Sequence, residues 1–487
     1  MEPADQSGWD AARLGAEVER GLGDRPVILV SNRGPLARAG GMLEVVEPLA
    51  RAARAEWVVQ EQAGGAGELD AGEPYRLHEV TLEPGCAEAF GAAANGALWP
   101  LLHDVGVAPR YAEAAWAGYV EANRRFAEVA IAVAERRGHE APVFFLQDYH
   151  LLLVSERLRQ RFPRATIAQF LHVPWPAPEV FAASPWAASI GAGLGGNDLL
   201  GVNGERWAAH AAASLASRAS LASLAPAGVR VEAFPAGIDA AGLASQAAAP
   251  EVTAEVERLR AELRAGERAI VVSVDRSDYA KGIAARLEAI RRLLERRAEL
   301  RGRVVFVQAV SPSRLELPEF AAVAAGARRL TDEINRRYGD AAWQPVRLLA
   351  ERVPHRQILA LYRLADACVV SSLRDGMNLV AKEYVACRGG DDGCLILSRH
   401  TGAAERMPEA LLVDPTDVGG FADTLADALA GLLDGRRSGL RELPGLPGLR
   451  GLRARVLTEN VHWWGGAIFA RIAGLVQEQS RAMKSRQ

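Results

Sequence analysis

Two acidic and two basic side chains of this chain follow hydrophobic runs, at places where a sheet would present them to a ligand. Asp375 and Glu383 lie in the segment SSLRDGMNLVAKEY, which continues the run Ala-Cys-Val-Val. Ionised carboxylates only accept hydrogen bonds, so this pair could hold the hydroxyl groups of a sugar. Arg276 and Lys281 follow another apolar run, and two cations there would suit a diphosphate whose charge grows as a bond breaks. On spacing alone, the acids could instead shape a turn or face water, and the cations could form surface ion pairs.

Short apolar runs are the elements that must position these residues. Such continuous runs are typical of buried parallel strands. They occupy residues 26–31, 143–147, 166–171, 198–201, 229–234, 269–274, 304–310, 346–349, 367–370 and 393–398. In an open α/β sheet, ligands bind outside the carboxyl ends of the strands, where helix N-termini expose unpaired N–H groups. Asn378 is the expected N-cap of the helix that carries Glu383.

The order of the elements predicts an α/β protein of two domains. A chain of 487 residues exceeds the size of one ordinary core, and both halves alternate strands with helices. We therefore predict two doubly wound domains at residues 1–245 and 246–456, followed by a helical segment at 457–487. Residues 1–25 are expected to form a loose arm or a short helix, and residues 436–453 an irregular linker.

Composition excludes several classes of protein. The net charge is −3 and the pI about 6.4, with dispersed basic residues, which argues against nucleic acid as a partner. No run approaches the roughly 18 apolar residues of a membrane span, and the N-terminus MEPADQSGWD lacks the apolar core of a secretory signal. The four cysteines are too far apart for a metal knuckle, and we expect reduced thiols in a cytoplasmic protein. Neither a DxD nor an HExxH pattern occurs, so no metal site is predicted.

The longer motifs resemble those of glycosyltransferase family 20, the family of the trehalose-6-phosphate synthases. RDGMNLVAKEY looks like the nucleotide-sugar signature of that family, and DRSDYAKG is similar to its DRxDYxKG motif. The segments SNR, WAGY, QDYH, LHVPWPAPE and SPSR resemble further family motifs. The resemblance implies a GT-B fold, in which two Rossmann-like domains face a central cleft and a terminal helix crosses back to the first domain. It also implies that the first domain binds the acceptor and the second binds the nucleotide sugar.

The resemblance assigns a donor-binding role to the RDGMNLVAKEY segment. In the family, the Asp of this segment binds hydroxyl groups of the donor glucose, which implies that role for Asp375. The backbone amides of Asn378, Leu379 and Val380 would meet the phosphates, and Glu383 would hold the nucleotide ribose.

Other segments complete the implied donor site. Arg276 and Lys281 would bind the diphosphate and stabilise its charge during catalysis. Gly40 and Gly41 would lie against the same diphosphate, and a backbone group near Val353 would meet the nucleotide base. By itself, a glycine pair after a strand is more often only a turn.

The implied acceptor site draws on both halves of the chain. Arg33 and Arg314 would bind the acceptor phosphate. Trp116 would line the sugar pocket, although composition alone would favour a core aromatic residue. Asp148 would contact the acceptor close to its reacting hydroxyl, and His172 would lie over the donor glucose near the anomeric carbon. The resemblance makes these last two residues catalytic, together with the basic pair of the DRSDYAKG loop.

The acceptor half departs from the family pattern at two positions. The family commonly has Trp-x-Gly-Trp where this chain reads Trp57-Val-Val-Gln60, and a Tyr where this chain has Asp104. Gln60 and Asp104 cannot reproduce the contacts of those aromatic residues, and an ionised Asp104 near a phosphate would repel it. Members of the family of actinobacterial type also vary here, so the departure does not by itself indicate another reaction.

The resemblance implies a retaining glucosyltransferase. Its reaction would move glucose from a nucleoside-diphosphate glucose to glucose 6-phosphate and give α,α-trehalose 6-phosphate, without a metal or other cofactor. The two departures motivate an alternative with another acceptor, as in glucosylglycerol-phosphate synthesis or the joining of cyclitols. A sugar-nucleotide sensor without turnover is a third hypothesis. The expected partners are small molecules. The sequence does not choose between UDP, GDP and ADP as the donor nucleotide, and it leaves open whether the protein forms a homo-oligomer.

Overall fold

The computed structural model of the protein describes residues 8–35, 41–61, 73–219, 228–265, 268–438 and 448–485. The chain divides into two compact units. Unit 1 comprises Met1–Gly237 and Glu459–Gln487, and unit 2 comprises Ile238–Thr458.

Within the described residues, unit 1 is built on a seven-stranded parallel sheet. Its strands are β1 (Val27–Ser31), β2 (Glu56–Gln60), β3 (Arg76–Val80), β4 (Val143–Gln147), β5 (Thr166–Leu171), β6 (Leu199–Val202) and β7 (Arg230–Ala233). They are arranged in the order β3-β2-β1-β4-β5-β6-β7, and β1, β4 and β5 are buried along their whole length. The strand order reverses between β1 and β4, and loops diverge there to leave a crevice in doubly wound sheets.

Helices flank this sheet and connect its strands. They are α1 (Ala11–Leu22), α2 (Gly41–Ala52), α3 (Pro84–Ala93), α4 (Trp99–His103), α5 (Glu113–Arg137), α6 (Val154–Arg161), α7 (Pro178–Ala182), α8 (Ala187–Leu194) and α9 (Glu205–Ala219). The N-cap of α1 is Asp10, whose Oδ1 accepts a hydrogen bond from the Arg13 N–H over 2.8 Å. Its C-cap is Gly23, with φ of 62°. Both ends therefore have the residue types that suit them.

Unit 2 has a six-stranded parallel sheet in its described residues. The strands are β8 (Ala269–Arg276), β9 (Val304–Ser311), β10 (Val346–Leu349), β11 (Ala367–Val370), β12 (Cys394–Ser398) and β13 (Leu411–Val413), in the order β10-β9-β8-β11-β12-β13. The helices are α10 (Ala240–Ala248), α11 (Pro250–Leu263), α12 (Ile283–Arg296), α13 (Pro318–Tyr338), α14 (His355–Leu364), α15 (Leu379–Cys387), α16 (Val418–Ser438) and α17 (Arg450–Thr458). Here the order reverses between β8 and β11, which places the loops after these strands at the switch point.

The last helix, α18 (Val461–Lys484), belongs to unit 1. The side chain of Asn460 caps it by accepting from the N–H groups of His462 and Trp463, and Trp464 Nε1 donates to the Phe234 carbonyl over 3.1 Å. Two expectations about this end of the chain were wrong. Within the predicted linker 436–453, residues 436–438 belong to α16 and residues 450–453 to α17, while residues 439–447 lie outside the described residues. The terminal helix begins at Val461 rather than Leu457, because the Asn460 cap interrupts the helical path.

Among the described helices, none combines the length and the apolar character that crossing a membrane would require.

Candidate active site

Three adjacent strands of unit 2 bring predicted donor residues together. The loops after β8, β11 and β12 share the carboxyl edge of the sheet, and Lys281 Nζ lies 2.5 Å from Asp375 Oδ2. The same carboxylate oxygen accepts from Ser372 Oγ and from Asn378 Nδ2, each over 3.2 Å. The Asp375 N–H donates to the His400 carbonyl of the third loop over 3.2 Å. The two predicted residues therefore form one ion pair inside a hydrogen-bonded loop cluster.

The Lys281–Asp375 pair is largely withdrawn from water, with side-chain exposures of 16% and 13%. Burial opposes the charge on Lys281, but the carboxylates of Asp375 and Asp275 outweigh it and raise the pKa of the Lys281 amine. Lys281 is therefore a cation at neutral pH. A cation that the protein already holds in place can stabilise a developing negative charge without any reorganisation of water.

Two glycines allow the three loops to approach this closely. A Cβ at Gly282, which has φ of +64°, would collide with the Ser371 carbonyl oxygen. A Cβ at Gly402 would collide in the same way with the Gly376 carbonyl oxygen. Any larger residue would push the loops apart, so the pair depends on both positions.

The N-terminus of α15 lies beside the ion pair. Asn378 has φ of 74°, and its Oδ1 accepts from the Ala381 N–H over 3.2 Å, so the N-cap prediction is confirmed. Leu379 and Val380 open the helix, and helical geometry leaves their N–H groups without an acceptor inside it. These amides and the positive end of the helix dipole form an arrangement that binds phosphate.

Glu383 lies one turn further along α15. Its Oε2 accepts from the Tyr362 hydroxyl over 2.9 Å. Burial, and then the neighbouring Glu383 charge, raise the pKa of Tyr362 well above its usual value. Tyr362 therefore stays protonated, and its hydroxyl donates a hydrogen bond to the carboxylate. Glu383 is thereby fixed in position, with a half-buried side chain.

Three other predicted residues of unit 2 follow or end the strands β8, β9 and β10. Arg276 ends β8 with its side chain 43% exposed, and its Nη2 is 3.9 Å from Asp278 Oδ2. Arg314, at φ of 49°, stacks over the Phe320 ring with its guanidinium carbon 5.4 Å from the ring centre. Val353 lies between β10 and α14, beyond the strand end.

In unit 1, the loops after β4 and β5 bring Asp148 and His172 together. Asp148 has φ of 70°, its N–H donates to the Phe170 carbonyl over 2.7 Å, and its Oδ1 accepts from the His172 N–H over 3.2 Å. Residues other than glycine rarely adopt such a backbone conformation, and functional sites are where the strain is usually found. Three of the six such residues in the described chain are predicted site residues: Asp148, Arg314 and Asn378.

The His172 ring is held by neutral groups. Its Nε2 lies 3.1 Å from Gln147 Oε1, and the rings of Phe170 and Trp464 are centred 4.8 and 6.1 Å away. Although part of the residue reaches the surface, burial of the ring lowers the pKa of His172 to about 3. The imidazole is therefore neutral at neutral pH, and with Nε2 donating to Gln147 its Nδ1 is an acceptor.

The loop after β1 is tied to a buried tryptophan. Trp57 Nε1 donates to Ser31 Oγ over 2.8 Å, and that hydroxyl donates to the Arg33 carbonyl over 2.6 Å. Arg33 itself is exposed. Gly40 lies outside the described residues, and Gly41 is the first residue of α2.

Trp116, on α5, is packed against other rings. Its ring is stacked with those of Tyr119 and Trp186, at centroid distances of 5.3 and 4.6 Å. The two departures from the family pattern also lie in unit 1. Gln60 is the last residue of β2, and Asp104 follows α4 in a left-handed conformation with φ of 47°.

Sequence reasoning missed the residues that hold the predicted ones in place. The contacts described above are made by Gln147, Trp57 and Ser372. The buried Arg286 donates a hydrogen bond to Ser371, at the start of the loop that carries Asp375. One signal was available, because Arg286 lies three residues after Ile283 and so falls on the apolar stripe of α12.

A cavity of about 440 Å³ lies elsewhere in unit 2, beside the edge strand β10. Arg347 and Glu262 in its wall form an ion pair of 3.0 Å, and none of the predicted donor residues lines it. Among the described residues there is also no group of three or more side chains suited to hold a metal ion.

The two helix-flanked parallel sheets agree with the GT-B class of glycosyltransferases, and the comparison with known proteins assigns the chain to that class. The chain belongs to glycosyltransferase family 20, whose model matches residues 38–466. A trehalose-6-phosphate synthase of Mycolicibacterium smegmatis is 36% identical over 456 residues, which cover 89% of this chain and 87% of that protein.

Solved structures agree with this assignment. The trehalose-6-phosphate synthase OtsA matches with a TM-score of 0.80 and 28% identity, over 92% of this chain and 98% of its own. An Escherichia coli structure described as bound with UDP-2-fluoro glucose matches with a TM-score of 0.80 and 27% identity, over 92% of this chain and 99% of its own. A Burkholderia xenovorans α,α-trehalose-phosphate synthase (UDP-forming) in complex with glucose-6-phosphate matches with a TM-score of 0.79 and 28% identity, over the same shares of the two chains. The predicted family and the predicted α/β GT-B fold class are confirmed.

Proposed function

We propose that this chain transfers glucose from a nucleoside-diphosphate glucose to glucose 6-phosphate, with unit 2 binding the donor and unit 1 most of the acceptor. Glucosyl transfer that forms trehalose 6-phosphate is the activity carried by the relatives and the matching structures. The observation that carries the assignment of the donor is the 2.5 Å contact of Lys281 with Asp375 beside the N-terminus of α15. It supplies a cation and helix amides for the diphosphate, and a carboxylate for the sugar hydroxyls.

The proposed reaction retains the configuration of the anomeric carbon. The bond from that carbon to the donor phosphate breaks while the acceptor hydroxyl oxygen attacks from the same side, and the departing phosphate oxygen takes the acceptor proton. Lys281, Arg276 and the amides of Leu379 and Val380 stabilise the phosphate charge, and no divalent metal is required in this scheme. His172 contacts the donor glucose as a neutral hydrogen-bonding group, because with a pKa of about 3 the imidazole is not protonated at neutral pH.

The acceptor site is proposed to include Arg33, Asp148 and Trp116 of unit 1, with Arg314 of unit 2 as a further phosphate ligand. Asp148 is fixed by the His172 N–H, so its carboxylate can orient the attacking hydroxyl. Nucleotide sugars and sugar phosphates are made inside cells, and we therefore propose a cytoplasmic location.

A product analysis tests this function. The protein is incubated with glucose 6-phosphate and, in separate reactions, with UDP-, GDP- and ADP-glucose, and the products are identified by mass spectrometry and NMR. We expect a phosphorylated disaccharide with an α,α-1,1 linkage with at least one donor. No disaccharide with any of the three donors would contradict the proposal, and an inverted linkage would contradict the retaining scheme.

A further inference from the structure

A second ion pair is buried in unit 2, close to the pair of the candidate donor site. Arg286 Nη2 lies 2.8 Å from Asp275 Oδ2, and the two side chains are 1% and 5% exposed. Asp275 directly precedes Arg276 at the end of β8, and its charge acts on Lys281 as well. Burying an arginine this completely is costly unless its donors are matched by acceptors.

Arg286 contacts polar side chains from three different strands or the residues that directly follow them. In addition to the Asp275 contact at β8, Nε donates to Gln308 Oε1 of β9 over 2.7 Å. Nη1 donates to Ser371 Oγ, at the end of β11, over 2.6 Å. The guanidinium is planar and its donors have fixed directions, so these contacts constrain the relative positions of the three neighbouring strands β9, β8 and β11.

Ser371 passes this constraint to the donor loops. Its hydroxyl accepts from Arg286 and donates to the Lys281 carbonyl over 3.0 Å. The adjacent Ser372 donates to Asp375 Oδ2 over 3.2 Å. Both members of the Lys281–Asp375 pair are thus connected to Arg286 through one dipeptide.

We propose that Arg286 is a positioning residue for the donor, which holds the loops of Lys281 and Asp375 in register without touching substrate. This inference rests on the proposed function, because it takes that pair to bind the diphosphate and the sugar. A purely structural role would require only a positive charge next to Asp275. A lysine at this position keeps the charge but cannot direct donors to Asp275, Gln308 and Ser371 together.

Arg286→Lys tests the proposal, with Arg292→Lys as the matched control at a half-exposed position of the same helix. The melting temperature, kcat, and the KM for UDP-glucose and for glucose 6-phosphate are measured for both variants and the wild type. We expect kcat/KM for UDP-glucose to fall at least 10-fold in Arg286→Lys, with the KM for glucose 6-phosphate within about twofold of wild type and the control unchanged. Wild-type kinetics for UDP-glucose in a folded Arg286→Lys variant would overturn the proposal. An equal rise in the KM for both substrates would also overturn it.

Ser371→Ala provides a second test, which also decides the matter if Arg286→Lys does not fold. It interrupts the connection to Lys281 and leaves the buried ion pair intact. Calorimetry with UDP is expected to show weaker binding in Ser371→Ala by several-fold, and unchanged UDP affinity would overturn the proposal. Where both variants fold, the double variant is expected to lose little more UDP affinity than Arg286→Lys alone. Additive losses of UDP affinity would contradict a shared connection. A wild type that forms no product with any donor would instead refute the proposed function.

Discussion

The two units hold their candidate site residues by different kinds of contact. In unit 2 the loops are joined by ion pairs, Lys281 with Asp375 and Arg286 with a buried carboxylate. In unit 1 the corresponding loops are joined by hydrogen bonds in which at most one partner is charged: from the His172 N–H to Asp148, from the His172 ring to Gln147 Oε1, and from Trp57 through Ser31 to the next loop. A diphosphate leaving group needs fixed charge, whereas hydroxyl groups of a sugar acceptor need only matched donors and acceptors.

The two positions that depart from the family motifs lie in the unit whose loops are joined by hydrogen bonds. Gln60 and Asp104 both lie in unit 1, while the RDGMNLVAKEY and DRSDYAKG motifs of unit 2 match the family pattern. Loops joined by buried ion pairs tolerate little change, because losing one partner leaves a buried charge uncompensated. Neutral contacts can be replaced at lower cost, so the acceptor side has more freedom to vary.

The largest effect is expected from Lys281→Met, which removes the cation from the donor loops. We expect kcat to fall by about 100- to 1,000-fold, because one group that stabilises developing charge is typically worth that much. The release of UDP in the presence of glucose 6-phosphate measures it. Arg292→Met is the control, and a loss shared by that half-exposed variant would point to the fold rather than the leaving group.

A smaller effect, confined to donor binding, is expected from Glu383→Gln. The KM for UDP-glucose should rise about 10-fold with little change in kcat, because hydrogen bonds to a charged group contribute about 1.5–3 kcal/mol. Initial rates at varied UDP-glucose measure this change. Glu299→Gln, at an exposed turn, should behave as the wild type. If the KM for glucose 6-phosphate rose instead, the division of substrates between the units would be wrong.

Trp57→Phe tests the neutral contacts of unit 1. Losing the hydrogen bond to Ser31 should displace the loop of Arg33 and raise the KM for glucose 6-phosphate about fivefold, since one such bond contributes about 1 kcal/mol. The KM for UDP-glucose should not change. Trp343→Phe is a matched control in unit 2, because that buried indole also donates one hydrogen bond, to the Val304 carbonyl. An equal rise in acceptor KM in the control would refute the specific role of Trp57.

A last effect concerns stability and pH rather than substrate kinetics. The folded protein holds His172 neutral, with its pKa lowered from 6.5 to about 3 by burial, whereas the unfolded chain binds a proton near pH 6.5. Stability is therefore unaffected by this group above pH 6.5 and falls as the pH decreases from 6.5 towards 3. Urea unfolding of His172→Gln down to about pH 4 should show a pH dependence weaker by up to one proton than that of the wild type. Identical slopes would mean that the folded ring binds a proton as readily as the unfolded one.

Sequence patterns identified the strands and the polar residues after them, but not the contacts between loops. The runs that became β1, β4, β5, β8 and β11 were recognisable because these strands are mostly buried and mostly apolar. Three edge or near-edge strands escaped notice: β2 and β3, which begin with charged residues, and β13, which has only three residues. The contact of Arg286 with Ser371 joins residues 85 positions apart, and no spacing rule reaches across a sheet.

Hydrogen exchange with each ligand separately tests most directly whether the two units divide the substrates. UDP alone is predicted to slow amide exchange most in residues 275–282 and 371–384 of unit 2. Glucose 6-phosphate alone is predicted to slow it most in residues 31–35 and 147–150 of unit 1. Protection of the unit 1 segments by UDP with no change in the unit 2 loops, or protection of one and the same segment by both ligands, would contradict this account.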